Sequence, residues 1–243
     1  SHYPGECSVP MSFLSRLRSC VGSPARRERE SVLAPPEAYA SHIPVLVALG
    51  QTMIVRQVLE LGCGTFSTAT FLRREIFPDL QLLHSVENES EWAMKTAKTV
   101  GRDLRWKLQI VAGPVRNIVP ALQLAHYDLV FIDDSRSYEE RASTIESICA
   151  RRPRTGIFVI HDFESPLYQQ ASVAFTHQFN FDALIPNTGV VWNNDKLELA
   201  RLRQLNGLIR RCLHVSPLNV DAWSPILRNG ISEAETSKQL PGL

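Results

Sequence analysis

The sequence predicts an α/β fold, a doubly wound sheet of seven strands with helices added before and after it. In the middle of the chain, short and almost continuously apolar runs alternate with amphipathic stretches of helical length. This pattern is typical of parallel strands that are covered by helices on both faces. Two further apolar runs lie close together and predict an antiparallel hairpin that closes the sheet.

Each predicted element has its own signal in the sequence. The parallel strands are predicted at 55–61, 80–86, 108–112, 128–132 and 156–160, where apolar residues follow one another. The crossover helices are predicted at 67–77, 89–100, 115–124 and 138–149. The hairpin strands are predicted at 179–184 and 189–192, on either side of the turn-forming pair Pro186-Asn187.

The flanks of the sheet divide the chain into three parts. Residues 1–27 are basic and serine-rich, and we expect a flexible leader there. Residues 28–193 form the predicted domain, with one or two covering helices at 28–50. Residues 194–243 form a predicted helical extension, whose leucine stripe indicates core packing and whose last part lacks periodicity. The terminal helices could also serve as the surface of a homodimer.

The composition excludes several classes of partner. Lys plus Arg total 26 and Asp plus Glu total 25, so the net charge of +1 lacks the basic excess of a general nucleic-acid binder. No run of 18 apolar residues is present, so we expect no membrane-spanning helix. The 5 cysteines are scattered and no secretory signal is visible, which favours a reducing, cytoplasmic location.

A glycine-bearing turn after the first predicted strand is the first candidate for a ligand site. It reads Glu60-Leu61-Gly62-Cys63-Gly64 and leads through Thr65 into a predicted helix. Glycines allow the backbone to approach a ligand closely, and a helix N-terminus accepts a negative group. Ser67 stands where a dinucleotide-binding fingerprint requires its third glycine, which counts against a nicotinamide enzyme.

The ends of the second and third predicted strands extend this site. Glu87 ends the second strand, where a carboxylate can accept hydrogen bonds from both hydroxyls of a ribose. A charge that stabilises the N-terminus of the following helix is the alternative role for Glu87. Gly113-Pro114 ends the third strand and forms either a small corner for a flat base or a simple turn.

Three segments together resemble the class I S-adenosylmethionine-dependent methyltransferases, a Rossmann-like family, and most closely their small-molecule O-methyltransferase branch. They are Glu60 to Gly64, Glu87, and Phe131-Ile132-Asp133-Asp134 at the end of the fourth strand. In that branch a Tyr follows the fourth-strand Asp after a short polar stretch, here Tyr138. The fifth strand ends in a His-Asp or Asp-Asn pair, here His161-Asp162. The resemblance covers about residues 40–193.

The resemblance implies that S-adenosylmethionine is the cofactor and assigns residues to each part of it. The methionine portion would be held by Glu60, Gly62, Cys63, Gly64, Thr65 and Ser67. The ribose would be held by Glu87 beside Asn88, and the adenine would be bordered by Gly113 and Pro114. Asp133, with Asp134 after it, would lie near the sulfonium and the substrate. The residues alone favour a role for Cys63 as a small filler, because no basic partner adjoins it.

The acceptor half of the site rests on the last two strand ends. Methyl transfer to oxygen needs a positioned base, and His161 is the preferred one, with Asp133 and Asp162 as the other catalytic residues. The alternative for His161 is a core histidine that orients Asp162. Asp133, Asp134 and Asp162 could instead bind a divalent cation.

Two departures from the metal-dependent relatives argue against a bound metal ion. Phe163 stands where those relatives have an Asn after the fifth-strand Asp, and Arg136 is near the place of a lysine base. We therefore expect no metal ligand and treat a divalent cation as the less favoured alternative.

The predicted function is S-adenosylmethionine-dependent O-methylation of a small molecule by direct in-line transfer. Two alternatives stay open. One is a catalytically silent protein that binds S-adenosylmethionine, and the other is a nucleotide-dependent oxidoreductase built on a similar sheet.

Overall fold

The computed structural model describes residues 31–32, 36–101, 104–151 and 153–238. The predicted leader, residues 1–27, lies outside the described residues. The described strands are β1 (Ser31–Val32), β2 (Gln57–Leu61), β3 (Leu82–Glu87), β4 (Leu108–Ala112), β5 (Leu129–Ile132), β6 (Ile157–His161), β7 (His177–Phe181), β8 (Leu184–Ile185) and β9 (Thr188–Trp192). The described α-helices are α1 (Ile43–Thr52), α2 (Ser67–Phe71), α3 (Ser90–Thr99), α4 (Val115–Ile118), α5 (Tyr138–Ala150), α6 (Pro166–Ala171), α7 (Leu199–Arg211) and α8 (Val220–Lys238).

The main sheet has seven strands in the order β4-β3-β2-β5-β6-β9-β7. Strands β2 to β6 pair in parallel, and β9 runs antiparallel to both of its neighbours, β6 and β7. The predicted fold class is confirmed, including the closing antiparallel pair. The chain enters the sheet at β2, builds outward to β4, and then returns to place β5 on the other side of β2. The order therefore reverses between β2 and β5, and ligands bind at such a reversal in open α/β sheets.

The sheet is buried on both faces because its central strands are apolar throughout. Successive residues of a strand point to opposite faces. Accordingly Val58 belongs to the core on one side of the sheet and Leu59 to the core on the other. Helices α1, α7 and α8 contribute to the first core, and α5 and α6 to the second. Burial of each such apolar side chain stabilises the folded state by about 1.5–3 kcal/mol. The strands whose ends carry the candidate site are therefore held firmly in the core.

Two predicted helices are shorter than expected. The helix predicted at 67–77 ends at Phe71, and separate turns carry the chain onward to Phe77. The helix predicted at 115–124 stops at Ile118 and continues as a 3₁₀ turn at Val119–Ala121. Pro120 lies within that turn and lacks the N–H that would continue the α-helix.

The strand predicted at 179–184 is also divided. It leaves the main sheet after Phe181, and Leu184–Ile185 pairs instead with Ser31–Val32 in a separate two-stranded sheet. The N–H of Ala183 donates to Asn206 Oδ1, so a side chain of α7 replaces the sheet partner at this point. Helix α6 was not predicted, because its six residues are too few to show helical periodicity.

The last described helix lies where the sequence shows little periodicity. Residues 220–238 form α8, and its Trp223 and Leu227 are fully buried one helical turn apart. Gln51 Nε2 of α1 donates hydrogen bonds to the backbone oxygen and to Oγ of Ser224, both at 2.9 Å. This segment is therefore ordered by docking onto α1. Among the described residues, no helix is both long and apolar enough to cross a membrane.

The docking of α8 predicts a large difference between two tryptophans. Trp223 is 0% exposed, so Trp223→Ala should lower the free energy of unfolding by about 3–5 kcal/mol. Trp106 is 72% exposed, so Trp106→Ala should change it by about 0.5 kcal/mol or less. Urea unfolding monitored by circular dichroism measures both. Equal effects of the two substitutions would show that α8 is not part of the core.

Candidate active site

The turn after β2 is in direct contact with the turn after β5. Gly62 has a φ of +86°, a conformation that side-chain-bearing residues rarely adopt. A Cβ on Gly62 would also lie 2.1 Å from the backbone oxygen of Asp133. Glycine is therefore required at this position, and its small size brings the two central strand ends together at the reversal of strand order.

Glu60 lies beneath this turn rather than at its surface. It is completely buried, and its Oε2 accepts hydrogen bonds from Thr68 Oγ1 at 2.7 Å and Ser85 Oγ at 2.5 Å. Its Oε1 is buried without a hydrogen-bond partner. Burial raises the pKa of Glu60 to about 7, although neighbouring hydroxyls oppose the rise. In this arrangement Glu60 holds the turn from below.

Glu87 fastens the turn after β2 from the neighbouring strand. Its Oε2 accepts the N–H of Cys63 at 3.0 Å, and its Oε1 accepts the N–H of Glu89 at 2.9 Å. The Cys63 thiol also interacts with this carboxylate. Burial raises the pKa of Glu87, and the two backbone N–H groups oppose this. Trp92 Nε1 donates to the backbone oxygen of Cys63 at 2.6 Å and holds the same turn from α3.

The remaining residues of the glycine turn differ in their exposure. The N–H of Gly64 donates to Thr68 Oγ1 at 3.2 Å, and Gly64 and Thr65 are partly exposed. Ser67 and Cys63 are buried. Burial raises the pKa of the Cys63 thiol to about 12, so this cysteine is a poor nucleophile, as the sequence indicates.

Asn88 ties three strand ends together. Its Nδ2 donates to the backbone oxygen of Asp134, and its Oδ1 accepts the N–H of Val115 at 2.8 Å. The N–H of Gly113 donates to the backbone oxygen of Glu87 at 2.8 Å, and Pro114 follows directly before α4. The residues predicted to hold ribose and adenine therefore lie side by side, and Asn88 has a structural task of its own.

Arg141 of α5 joins the ends of β5 and β6. Its Nη2 lies 2.6 Å from Asp133 Oδ1, and its Nη1 lies 2.8 Å from Asp162 Oδ2. The guanidinium is buried over the ring of Tyr168, and it also donates to the backbone oxygen of Ser135. The side chains of Asp133 and Asp162 remain 27% and 22% exposed, so they form the open face of this cluster.

The backbone at Asp162 is unusual. Its φ is 58°, and Asp is one of the residues that tolerate this left-handed region. The conformation turns the chain sharply after β6, where the N–H of Ser165 donates to the backbone oxygen of Asp162 at 3.0 Å. Backbone outliers of this kind concentrate at functional sites.

His161 lies directly behind these carboxylates and is 4% exposed. Its Nδ1 is 3.4 Å from Asp133 Oδ2 and 3.7 Å from Asp162 Oδ1. Its Nε2 shares a hydrogen bond of 3.0 Å with Ser41 Oγ. Burial favours the neutral ring, but Asp133 and Asp162 outweigh it and raise the pKa of His161 above 6.5. Burial would likewise raise the pKa of Asp133, but His161 and Arg141 lower it to about 2.

Asp134 faces away from this cluster. Its Oδ2 accepts a hydrogen bond from Thr144 Oγ1 at 2.7 Å, and its Oδ1 is buried without a partner. Burial raises the pKa of Asp134 to about 6. Among the described residues, Asp134 does not join Asp133 and Asp162 in a group that could hold a metal ion, so the three-carboxylate site weighed from the sequence does not form.

Sequence reasoning missed Arg141, Ser41 and His42. Arg141 had a signal, because it precedes Ile145 by four residues and Ile148 by seven and so stands on the buried face of α5. Ser41 and His42 lie at the start of α1, and the His42 ring contacts those of Phe131 and His161, each at 4.8 Å between centroids. Burial, followed by the charge of His161, lowers the pKa of His42 to about 3. Nothing in the sequence around them connects these two residues with β6.

Comparison with known proteins supports the fold. No family model matches the chain, and no curated protein matches it. The structure of cofactor-bound Rv0187 from MTB is similar to this chain. The match covers 78% of this chain and 100% of Rv0187, with 17% identity and a TM-score of 0.50. A spermidine synthase in complex with the transition-state analogue AdoDATO is also similar. The match covers 79% of this chain and 75% of the synthase, with 12% identity and a TM-score of 0.50.

A third structure is the O-methyltransferase TomG from Streptomyces achromogenes in complex with SAM. It covers 74% of this chain and 95% of its own, with 16% identity and a TM-score of 0.45. The first two of these structures support the doubly wound α/β fold described above. At these identities the likenesses establish the fold alone.

The burial of Glu60 predicts a pH-dependent stability. In the unfolded chain Glu60 ionises near its ordinary pKa of 4.5, whereas in the folded chain it ionises near 7. The folded state therefore holds the extra proton, and the stability present below pH 4.5 is lost as the pH rises to about 7. One pKa unit corresponds to about 1.4 kcal/mol, so the loss is about 3 kcal/mol.

Glu60→Gln, which imitates the protonated side chain, should remove this loss. Chemical unfolding of both proteins between pH 4.5 and pH 8 measures it, and Glu91→Gln on the exposed side of α3 is the matched control. If the curves of Glu60→Gln and of the unsubstituted protein stay parallel over this range, Glu60 is already ionised in the folded state.

Proposed function

We propose that this protein transfers a methyl group from S-adenosylmethionine to an oxygen atom of a small molecule. One observation carries the proposal. The two strands on either side of the reversal of strand order, β2 and β5, end in the glycine turn at Gly62 and in Asp133. A donor held by the first turn would therefore present its reactive group to the carboxylates of the second.

The donor side fits S-adenosylmethionine by its chemistry. The two carboxylate oxygens of Glu87 would accept hydrogen bonds from the two neighbouring hydroxyls of a ribose. Gly113 and Pro114 lie beside it and offer a corner without bulky side chains. Asp133 and Asp162 carry two negative charges against the one positive charge of Arg141, and this excess favours a sulfonium cation nearby.

The acceptor side has the groups needed to orient a hydroxyl. When bound, S-adenosylmethionine supplies an electrophilic methyl group on a positively charged sulfur. The partly exposed carboxylate of Asp133 would accept a hydrogen bond from the acceptor hydroxyl and orient its oxygen toward the donor. His161 Nδ1 lies 3.4 Å from Asp133 Oδ2 and would receive the proton of that hydroxyl.

Arg141 has a positioning role in this scheme. It occupies one oxygen of Asp133 and one of Asp162, so the other oxygen of each is directed toward His161. The near-neutral net charge of +1 supports a small-molecule acceptor rather than a nucleic acid.

Glu87→Gln should weaken binding of S-adenosylhomocysteine by at least about tenfold, because hydrogen bonds to a charged acceptor contribute about 1.5–3 kcal/mol. Isothermal titration calorimetry measures the affinity, and thermal unfolding of the free variant separates a binding defect from a folding defect. Glu91→Gln is the control, because Glu91 is exposed on the helix that follows. Unchanged affinity in a folded Glu87→Gln protein would remove Glu87 from the donor site.

His161→Gln should lower methyl transfer by about 10²- to 10⁴-fold while S-adenosylhomocysteine still binds with nearly its original affinity. Transfer from a labelled donor to a panel of phenols, sugars and peptides measures the rate, with His126→Gln, at an exposed histidine, as the control. Unchanged turnover would exclude His161 as the proton acceptor. A protein that binds the donor and labels no acceptor would favour the silent binding protein instead.

A further inference from the structure

His42 is a buried imidazole without a hydrogen-bond partner. It is 2% exposed, and neither its Nδ1 nor its Nε2 has a partner in the described structure. A buried polar group without a partner costs about 1–3 kcal/mol, so it needs an explanation. Packing against Phe131 accounts for the face of the ring but not for its nitrogens.

The unpartnered ring stands beside two other metal-ligating side chains. One nitrogen of His42, one nitrogen of His161 and one oxygen of Asp133 all lie within 4.8 Å of one another. His161 Nδ1 and Asp133 Oδ2 are separated by 3.4 Å, which is long for a hydrogen bond. It equals the spacing of about 3.4 Å between ligands in a tetrahedral site with bonds of about 2.1 Å. We propose that His42, Asp133 and His161 bind a divalent transition-metal ion of the Zn²⁺ class.

Neighbouring groups already orient two of the three ligands. Ser41 Oγ contacts His161 Nε2 at 3.0 Å, so Nε2 can keep its proton and leave the lone pair of Nδ1 to the metal. Arg141 holds Asp133 Oδ1 at 2.6 Å and leaves Oδ2 on the side of His161. The wider separations in the group, up to 4.8 Å, involve His42, so its ring must come closer to the other two ligands for all three to bind one ion.

The charges around the site also accept a cation. Asp133 and Asp162 carry two negative charges, and Arg141 neutralises one of them. Among these three side chains one negative charge is therefore left over. Two imidazoles and one carboxylate form a donor set that suits Zn²⁺ and the neighbouring transition metals, whereas Mg²⁺ and Ca²⁺ prefer oxygen ligands. Three protein ligands leave a fourth position, which can be filled from the partly exposed side of Asp133.

The metal site is inferred from geometry alone and does not rest on the proposed methyl transfer. It shares Asp133 with the carboxylate group considered in the sequence, but His42 and His161 replace Asp134 and Asp162. A metal ion on His161 Nδ1 would occupy the lone pair that otherwise receives a proton, so the role of His161 as a proton acceptor applies to the metal-free protein.

Metal binding by the full chain tests the inference directly. After treatment with a chelator and dialysis, titration calorimetry with ZnCl₂ should show one Zn²⁺ bound per chain, and MgCl₂ should show no binding. His42→Gln, Asp133→Asn and His161→Gln should each weaken Zn²⁺ binding by more than about 100-fold. Ser41→Ala, which removes only the outer contact, should weaken it by about tenfold. His126→Gln and His177→Gln, at exposed histidines, should bind as the unsubstituted protein does.

Circular dichroism of each variant checks folding, and the visible spectrum of the Co²⁺-loaded unsubstituted protein reports imidazole coordination without any substitution. Absence of Zn²⁺ binding by the folded, unsubstituted protein would overturn the inference. Zn²⁺ binding that survives His42→Gln would also overturn it, because the ion would then be bound elsewhere. Calorimetry with S-adenosylhomocysteine is measured separately, so a failure of the metal site and a failure of the methyltransferase proposal are distinguishable.

Discussion

The buried guanidinium of Arg141 fixes the relative positions of the ends of β5 and β6, which carry the acceptor site. It pairs with Asp133 after β5 and with Asp162 after β6, two carboxylates that would otherwise repel each other. Removal of one partner from a buried pair typically costs about 3–5 kcal/mol, because a charge is left without compensation. The same pairing also reduces the net negative charge of the site. The sequence alone indicates several converging carboxylates, and in the fold one of their charges is neutralised by an arginine from a helix.

The sheet could be predicted closely because its signals are local. The strand at 108–112 is found with the predicted bounds, and the parallel strands before and after it differ only at their ends. The elements that differ are those that depend on neighbours. Pro120 ends the regular helix after Ile118. The N–H of Ala183 donates to the side chain of Asn206 instead of to a strand of the main sheet. The first of these has a sequence signal, whereas the second depends on where α7 packs.

The candidate site divides along the same line. Residues at the ends of parallel strands meet at one edge of the sheet whatever the details of packing, so Gly62, Glu87, Asp133 and His161 could be placed together from the sequence. Their individual tasks depend on contacts that no spacing shows. Glu60 lies below the turn, and its carboxylate accepts hydrogen bonds from Thr68 and Ser85. Ser41 and His42 reach His161 only because α1 packs across the sheet.

Helix α1 makes the acceptor site depend on contacts between distant parts of the chain. Its start contacts His161, 120 residues from Ser41, and its other end is held by α8 through Gln51 and Ser224, which are 173 residues apart. Closing loops of this length costs chain entropy, and during synthesis neither contact can form before its later residue has been made. Most of the donor side comes from the consecutive strands β2, β3 and β4, and residues 133 and 134 after β5 complete it. A nascent chain would therefore form the donor side before Ser41 and His42 reach His161. The acceptor side would be completed last.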